Sequence, residues 1–132
     1  MYTKENIEDI AEAIRKVMDK HNIKNITEPV NYYRTIKVSN SATKPENNLY
    51  IWIRLLYNKT ISKYIAEISN IEIPVKSRQK GVFTDLYKSL LNCKLIDEVR
   101  ITSVCTREMK NWCDKHRLKS YNAGTDYTSK VS

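Results

Sequence analysis

The feature that most constrains this chain is a change of period in its second half. From Lys63 to Val75 the sequence reads as a long strand that ends at Pro74-Val75. From Gly81 onward, Val82, Phe83, Leu86, Tyr87, Leu90 and Leu91 recur at helical spacing with a broad apolar face. Between them lies the basic run Lys76-Ser77-Arg78-Gln79-Lys80. A strand that passes through a short loop and a glycine into a helix belongs to a domain that layers helices on a sheet. The junction is also an anion cradle. A helix start presents unpaired backbone N–H groups, and the helix dipole adds partial positive charge. Lys76, Arg78 and Lys80 add full charges, and Gly81 lets the backbone approach a ligand such as a pyrophosphate.

The rest of the chain supplies the layers. Thr3 caps a first helix with Ile7, Ile10, Ala11, Ile14, Val17 and Met18 on one face, ending near His21-Asn22. Thr27-Glu28-Pro29 reads as a turn, and Asn31 to Ser39 as one strand. Asn40 to Asn48 is a loop by composition. Leu49 to Tyr57 is a second strand, apolar enough for the middle of a sheet. After a turn at Asn58-Lys59-Thr60 come the long strand and the helix already described. Glu98 to Val104 is a fourth strand, and Thr106 caps a last helix carrying Met109, Trp112 and Cys113. Leu118 to Asn122 and Thr125 to Val131 form a closing hairpin. The expected fold class is mixed α/β, with residues 1–132 as a single domain of ordinary size.

Composition narrows the partners without choosing one. The net charge is +8 and the isoelectric point about 9.4, which attracts anions such as nucleic acid, an acidic protein or a phosphorylated cofactor. Lys and Arg are scattered, so a solvated surface accounts for the charge equally well. Cys93, Cys105 and Cys113 are odd in number and form no Cys-x-x-Cys pair. Reduced thiols in a cytoplasmic protein are expected, and neither a disulfide framework nor a metal site at Cys105, Cys113 and His116. The first residues lack the apolar core of a signal peptide, and no apolar stretch is long enough to span a membrane.

Two segments carry a family resemblance. Arg78-x-x-Gly81-x-Phe83, after an apolar strand and opening an apolar helix, resembles the Arg/Gln-x-x-Gly-x-Gly/Ala signature of the GNAT acyltransferases. Thr106-x-x-Met109-x-x-Trp112-Cys113-Asp114-Lys115-His116-Arg117-Leu118 resembles that family's last-helix pattern. The two stand in the family's order, and the resemblance covers about residues 49–122. It implies a GNAT-like central mixed, mostly antiparallel sheet flanked by helices. It also implies acetyl-CoA or another acyl-CoA as cofactor, held through Ile73, Val75, Arg78, Gln79, Lys80, Gly81, Val82 and Phe83. The chain departs from the pattern at Phe83, where a small residue is usual and a ring would crowd the phosphate turn. It departs again at Cys113, where the family often has a tyrosine that protonates the leaving thiolate.

Acyl transfer needs a base for the attacking amine, a donor for the oxyanion and help for the leaving thiolate. The resemblance puts the base on the long strand, where Glu67 and Glu72 are the candidates. Their odd separation predicts opposite faces, Glu67 with Ile71, Ile73 and Val75, and Glu72 with Ile68 and Asn70. Glu67 is the preferred base, and a solvated strand carboxylate is the competing reading of each. Backbone N–H groups near Ile71 and Ile73 would polarise the thioester carbonyl. Cys113 is either the acid or a small buried helix residue. Tyr32, Tyr33, Tyr50, Trp52, Tyr57 and Tyr64 line an acceptor pocket, stack bases or fill the core. Two functions remain open at this level. One is an N-acetyltransferase moving acetyl from acetyl-CoA to an amine of a small molecule, protein or nucleic acid. The other is a non-catalytic module of the same fold, binding protein or nucleic acid through a basic surface.

Overall fold

Helix α1, Lys4–Lys20, starts where its cap can close. Thr3 Oγ1 accepts from the Asn6 N–H at 3.1 Å, and Asn6 Oδ1 accepts from the Thr3 N–H at 2.9 Å. It ends at His21, after which Asn22 takes a left-handed φ of 55°. The computed structural model describes residues 1–23, 30–32, 34–40, 43–78, 80–104 and 106–129. Among the described residues, seven strands form one sheet in the order β1-β2-β3-β4-β5-β7-β6. They are β1 Val30–Tyr32, β2 Thr35–Ser39, β3 Tyr50–Asn58, β4 Lys63–Glu72, β5 Glu98–Ile101, β6 Lys119–Tyr121 and β7 Asp126–Thr128. Helix α2, Val82–Leu91, crosses from β4 to β5, and α3, Arg107–Lys115, follows β5. The β4–β5 pair is parallel and the other five pairs are antiparallel. This is the mixed, mostly antiparallel sheet with helices that the sequence predicts.

Three boundaries differ from expectation. Asn31–Ser39 is not one strand but parts of a tight hairpin, with Tyr32 paired to Thr35. The long strand stops at Glu72, because Pro74 cannot donate to a ladder and Val75–Ser77 coil into a short 3-10 turn. The fourth strand stops at Ile101, and Ser103 turns the chain with a φ of 57°. The expected turn at residues 27–29 lies outside the described residues.

The sheet has two unlike faces. Ile36, Val38, Ile51, Ile53, Leu55, Ile68, Val99 and Ile101 are buried and share one cluster with the apolar stripes of α1 and α2. Trp52, Arg54, Glu67, Glu98, Arg100 and Thr128 alternate with them and face the other way, as their register partners show. Nothing in the strand sequences except period two separates these sets.

One irregularity breaks that period. Ile53 pairs with Ile68 but Trp52 pairs with Asn70, so Ser69 is a β-bulge residue with no partner on β3. The extra residue shifts the alternation by one. Glu67 opposite Arg54 and Glu72 opposite Tyr50 therefore share a face, whereas Ile71 lies opposite Ile51 on the core side. The expectation that Glu67 and Glu72 lie on opposite faces, with Glu67 beside Ile71, is corrected by this bulge.

Candidate functional site

The site begins where two parallel strands part. The β4–β5 register runs from Ile65–Glu98 to Ile68–Ile101, and the Thr102 N–H donates to the Ile68 carbonyl at 3.1 Å. Past this point β5 is drawn towards the terminal hairpin. The Ser103 N–H donates to Asp126 Oδ1 at 3.0 Å and the Val104 N–H to the Thr125 carbonyl at 2.8 Å. Meanwhile Ser69 bulges on β4. The gap between them is a cleft of about 440 Å³ lined by Ser69, Asn70 and Ile71 on one side and Thr102, Ser103 and Val104 on the other.

Ile71, Thr106 and Met109 also line a second cleft of about 400 Å³, so the two clefts adjoin and together make up the groove. The second part runs past Glu72, Ile73, Ser77 and Arg78 to Gly81, Val82, Phe83 and Thr84 at the start of α2. Gly81 has a φ of 86°, and an added Cβ would meet no protein atom within 4 Å. Glycine is needed there for its left-handed backbone and not for lack of room. The first turn of α2 has no side-chain cap, so its N–H groups are presented at the groove. Arg78 folds across the loop and its Nε donates to the Ile73 carbonyl at 3.0 Å.

Trp112 closes the groove opposite the loop. Its Nε1 donates to Thr84 Oγ1 at 2.9 Å, its ring meets Phe83 edge to face at 4.5 Å, and His116 stacks on it at 4.1 Å. His116 is also the C-cap of α3, with Nδ1 2.9 Å from the Trp112 carbonyl oxygen. Phe83 therefore does not fill the turn at Gly81. Its ring is buried against Trp112 and forms the wall.

Of the residues singled out from the sequence, Ile73, Arg78, Gly81, Val82, Phe83 and Glu72 line this groove. Val75 and Lys80 are exposed and outside its lining, and Gln79 lies outside the described residues, as do Tyr33 and Cys105. Cys113 is not brought to the groove. Its side chain is wholly buried on the core side of α3, and burial, with the charge of Asp114, pushes its thiol up to about 12. A thiol enclosed in this way is a packing residue. Thr84 and Ser103 escaped the sequence reading, since neither lies in a motif. The helical spacing of Thr106, Met109 and Trp112 was the signal for the facing wall.

Glu67 lies on the other side of the sheet, one residue before the strands part. Arg54 Nη1 is 3.4 Å from Glu67 Oε1, and Ser69 Oγ donates to the same oxygen at 3.2 Å. Among the described residues Oε2 has no bonded partner. The bulge residue thus lines the groove and touches the carboxylate behind it.

No family model and no curated protein matches the chain. Among solved structures it is similar to Arabidopsis thaliana Naa50 in complex with a CoA-Ac-MVNAL bisubstrate analogue, at 11% identity and a TM-score of 0.49, covering 89% of this chain and 93% of that one. It is also similar to Arabidopsis thaliana NAA60 in complex with a bisubstrate analogue, at 8% identity and a TM-score of 0.43, covering 89% and 91%.

Proposed function

We propose that the chain is an acyl-CoA-dependent N-acyltransferase that moves acetyl from acetyl-CoA to an amine. The observation that carries this is the pair of adjoining clefts that reach from the Gly81 helix start to the gap between parallel β4 and β5. One end suits a pyrophosphate, through the first-turn N–H groups of α2 and Arg78. The apolar middle, Ile71, Ile73, Met109 and Trp112, suits the pantetheine arm. The gap gives the thioester a way through the sheet to Glu67.

On this reading Glu67 takes the proton of the attacking ammonium. The amine nitrogen then bonds to the thioester carbon while strand N–H groups near Ile71 and Ile73 hold the oxyanion. Collapse breaks the carbon–sulfur bond, and the proton left on the nitrogen goes to the departing thiolate, giving the neutral amide and the free thiol. Cys113 has no step. Glu72, exposed at the groove mouth, is the weaker candidate for the base.

Calorimetry with acetyl-CoA tests the reading. Binding at micromolar affinity is expected, with Gly81→Ala weakening it as the left-handed turn is strained by about 1–2 kcal/mol. No heat and no thermal shift at millimolar acetyl-CoA would overturn it.

A further inference from the structure

The open sheet face holds two arginines and two glutamates within reach of each other, and they are paired in one particular way. Arg100 stands directly across the parallel ladder from Glu67. It is two residues along β5 from Glu98, so both carboxylates are on its face. It takes Glu98, with Nε donating to Oε2 at 2.6 Å. The same Glu98 oxygen accepts from Thr128 Oγ1 on β7 at 2.6 Å. Glu98 is the more deeply buried acid, its side chain 5% exposed against 12% for Glu67. The short contact and the deeper burial, where a charge-assisted bond is less screened, give Glu98 the stronger claim on Arg100. The Arg100 guanidinium is further seated over the Tyr121 ring on β6, 5.8 Å from its centroid. Glu67 is left with the longer contact to the half-exposed Arg54 and the Ser69 hydroxyl, both on one oxygen.

We infer that Glu98 is a positioning residue for acyl transfer, which diverts Arg100 from Glu67 and so keeps one Glu67 oxygen available to an incoming amine. This rests on the reading of Glu67 as the base. A carboxylate clamped between Arg54 and Arg100 would have both oxygens committed and would accept a proton poorly. The buried Glu98 prevents this by charge, which makes charge the variable to test.

Glu98→Gln keeps the shape and removes the charge. Arg100 is then expected to swing across the ladder to Glu67. Thiol release from acetyl-CoA with an amine panel should show kcat reduced about tenfold or more with the KM for acetyl-CoA unchanged, and the double variant E98Q/R100M should recover to within about threefold of wild type. An unaltered kcat in E98Q, or a loss that R100M does not relieve, would overturn the inference. The Arg100 Nε–H resonance gives a readout independent of turnover. In the E98Q background, Glu67→Gln should move it, while in the wild-type background Glu67→Gln should leave it in place. Equal shifts in both backgrounds would equally overturn the diversion. If the wild type neither binds nor turns over acetyl-CoA, the proposed function falls, and the resonance still decides where Arg100 goes.

Discussion

The two faces of the sheet are made by the same strands and do opposite work. On the helix side, three alternate residues of β3 are aliphatics closed off from water: Ile51, Ile53 and Leu55. On the open side the residues between them, Trp52 and Arg54, meet Lys37 and Glu67, with the Lys37 ammonium 4.5 Å from the Trp52 ring centre. One face obtains its order from burial, which is indifferent to direction. The other obtains it from a few directional contacts among charges that are worth little to stability. The bulge residue Ser69 lines the groove and contacts Glu67 on the second face. Chemistry should therefore be lost by small changes on the open face, and stability by changes on the closed one.

The largest effect is expected at Glu67. Glu67→Gln preserves the Ser69 contact and removes the base, so turnover should fall by about 10²–10⁴. Affinity for acetyl-CoA by calorimetry and the melting temperature should hold. A normal rate would move the base to Glu72, and a loss of fold would erase the distinction between the faces.

Next come neighbours that differ only in direction. Ile53→Ala empties a fully buried site between strands and helices and should cost about 2–5 kcal/mol in denaturant unfolding. Arg54→Ala, one residue on, should cost less than about 1 kcal/mol, since its side chain is half exposed. Comparable losses at both positions would mean that the open face is covered and structural.

Arg78→Ala comes third. Its guanidinium bridges the loop to the Ile73 carbonyl, and on the proposed reading it also contacts a phosphate. Acetyl-CoA binding should weaken by about 1–3 kcal/mol, read by calorimetry at constant salt. Unchanged binding would detach the loop from the groove.

A smaller effect belongs to the helix layer. Asp85, in the first turn of α2, bonds His21 Nε2 at 2.6 Å and Lys20 Nζ at 3.1 Å, tying α1 to α2. The bond to His21, then that to Lys20, holds its carboxyl below the usual range. A depressed folded value gives stability that is present above the ordinary carboxylate range and is lost as pH falls through it. The gap in melting temperature between wild type and Asp85→Asn should therefore narrow below about pH 4. A gap that widens on acidification would reverse the assigned cause.

What the sequence could and could not reveal follows the same division. The caps at Thr3 and Thr106 are local, and they were readable because a cap needs particular atoms within three residues. The Tyr32–Thr35 hairpin was hidden because its turn, which includes Arg34, carries no glycine, proline or asparagine. The bulge at Ser69 was hidden more thoroughly, because it exists only relative to β3, and counting along one strand cannot detect it. That single residue reversed the expected face of Glu72 and Ile71 relative to Glu67. The Glu98–Thr128 contact joins residues 30 apart in the chain and had no linear trace.

The smallest effect is expected at Cys113, where the division between the faces is most easily broken. The resemblance sets a proton donor at this position, and the residue next to it, Trp112, does line the groove. Successive helix residues point about 100° apart, however, and Cys113 points into the core with no exposed surface. Its thiol, raised to about 12, stays protonated at neutral pH, but it is enclosed in the core and does not line the groove. Cys113→Ala removes one buried sulfur and should cost about 1 kcal/mol of stability, the scale of one buried methylene with a small cavity. Thiol release from acetyl-CoA should change by less than about twofold, because coenzyme A is a good leaving group and a twofold change is under about 0.5 kcal/mol of barrier. Cys113→Tyr should be far worse than alanine, since a phenol has no space in a closed core and overpacking costs about 1–3 kcal/mol or more. If instead the alanine variant lost a thousandfold in rate with folding and cofactor affinity intact, the core side of α3 would have to open during turnover.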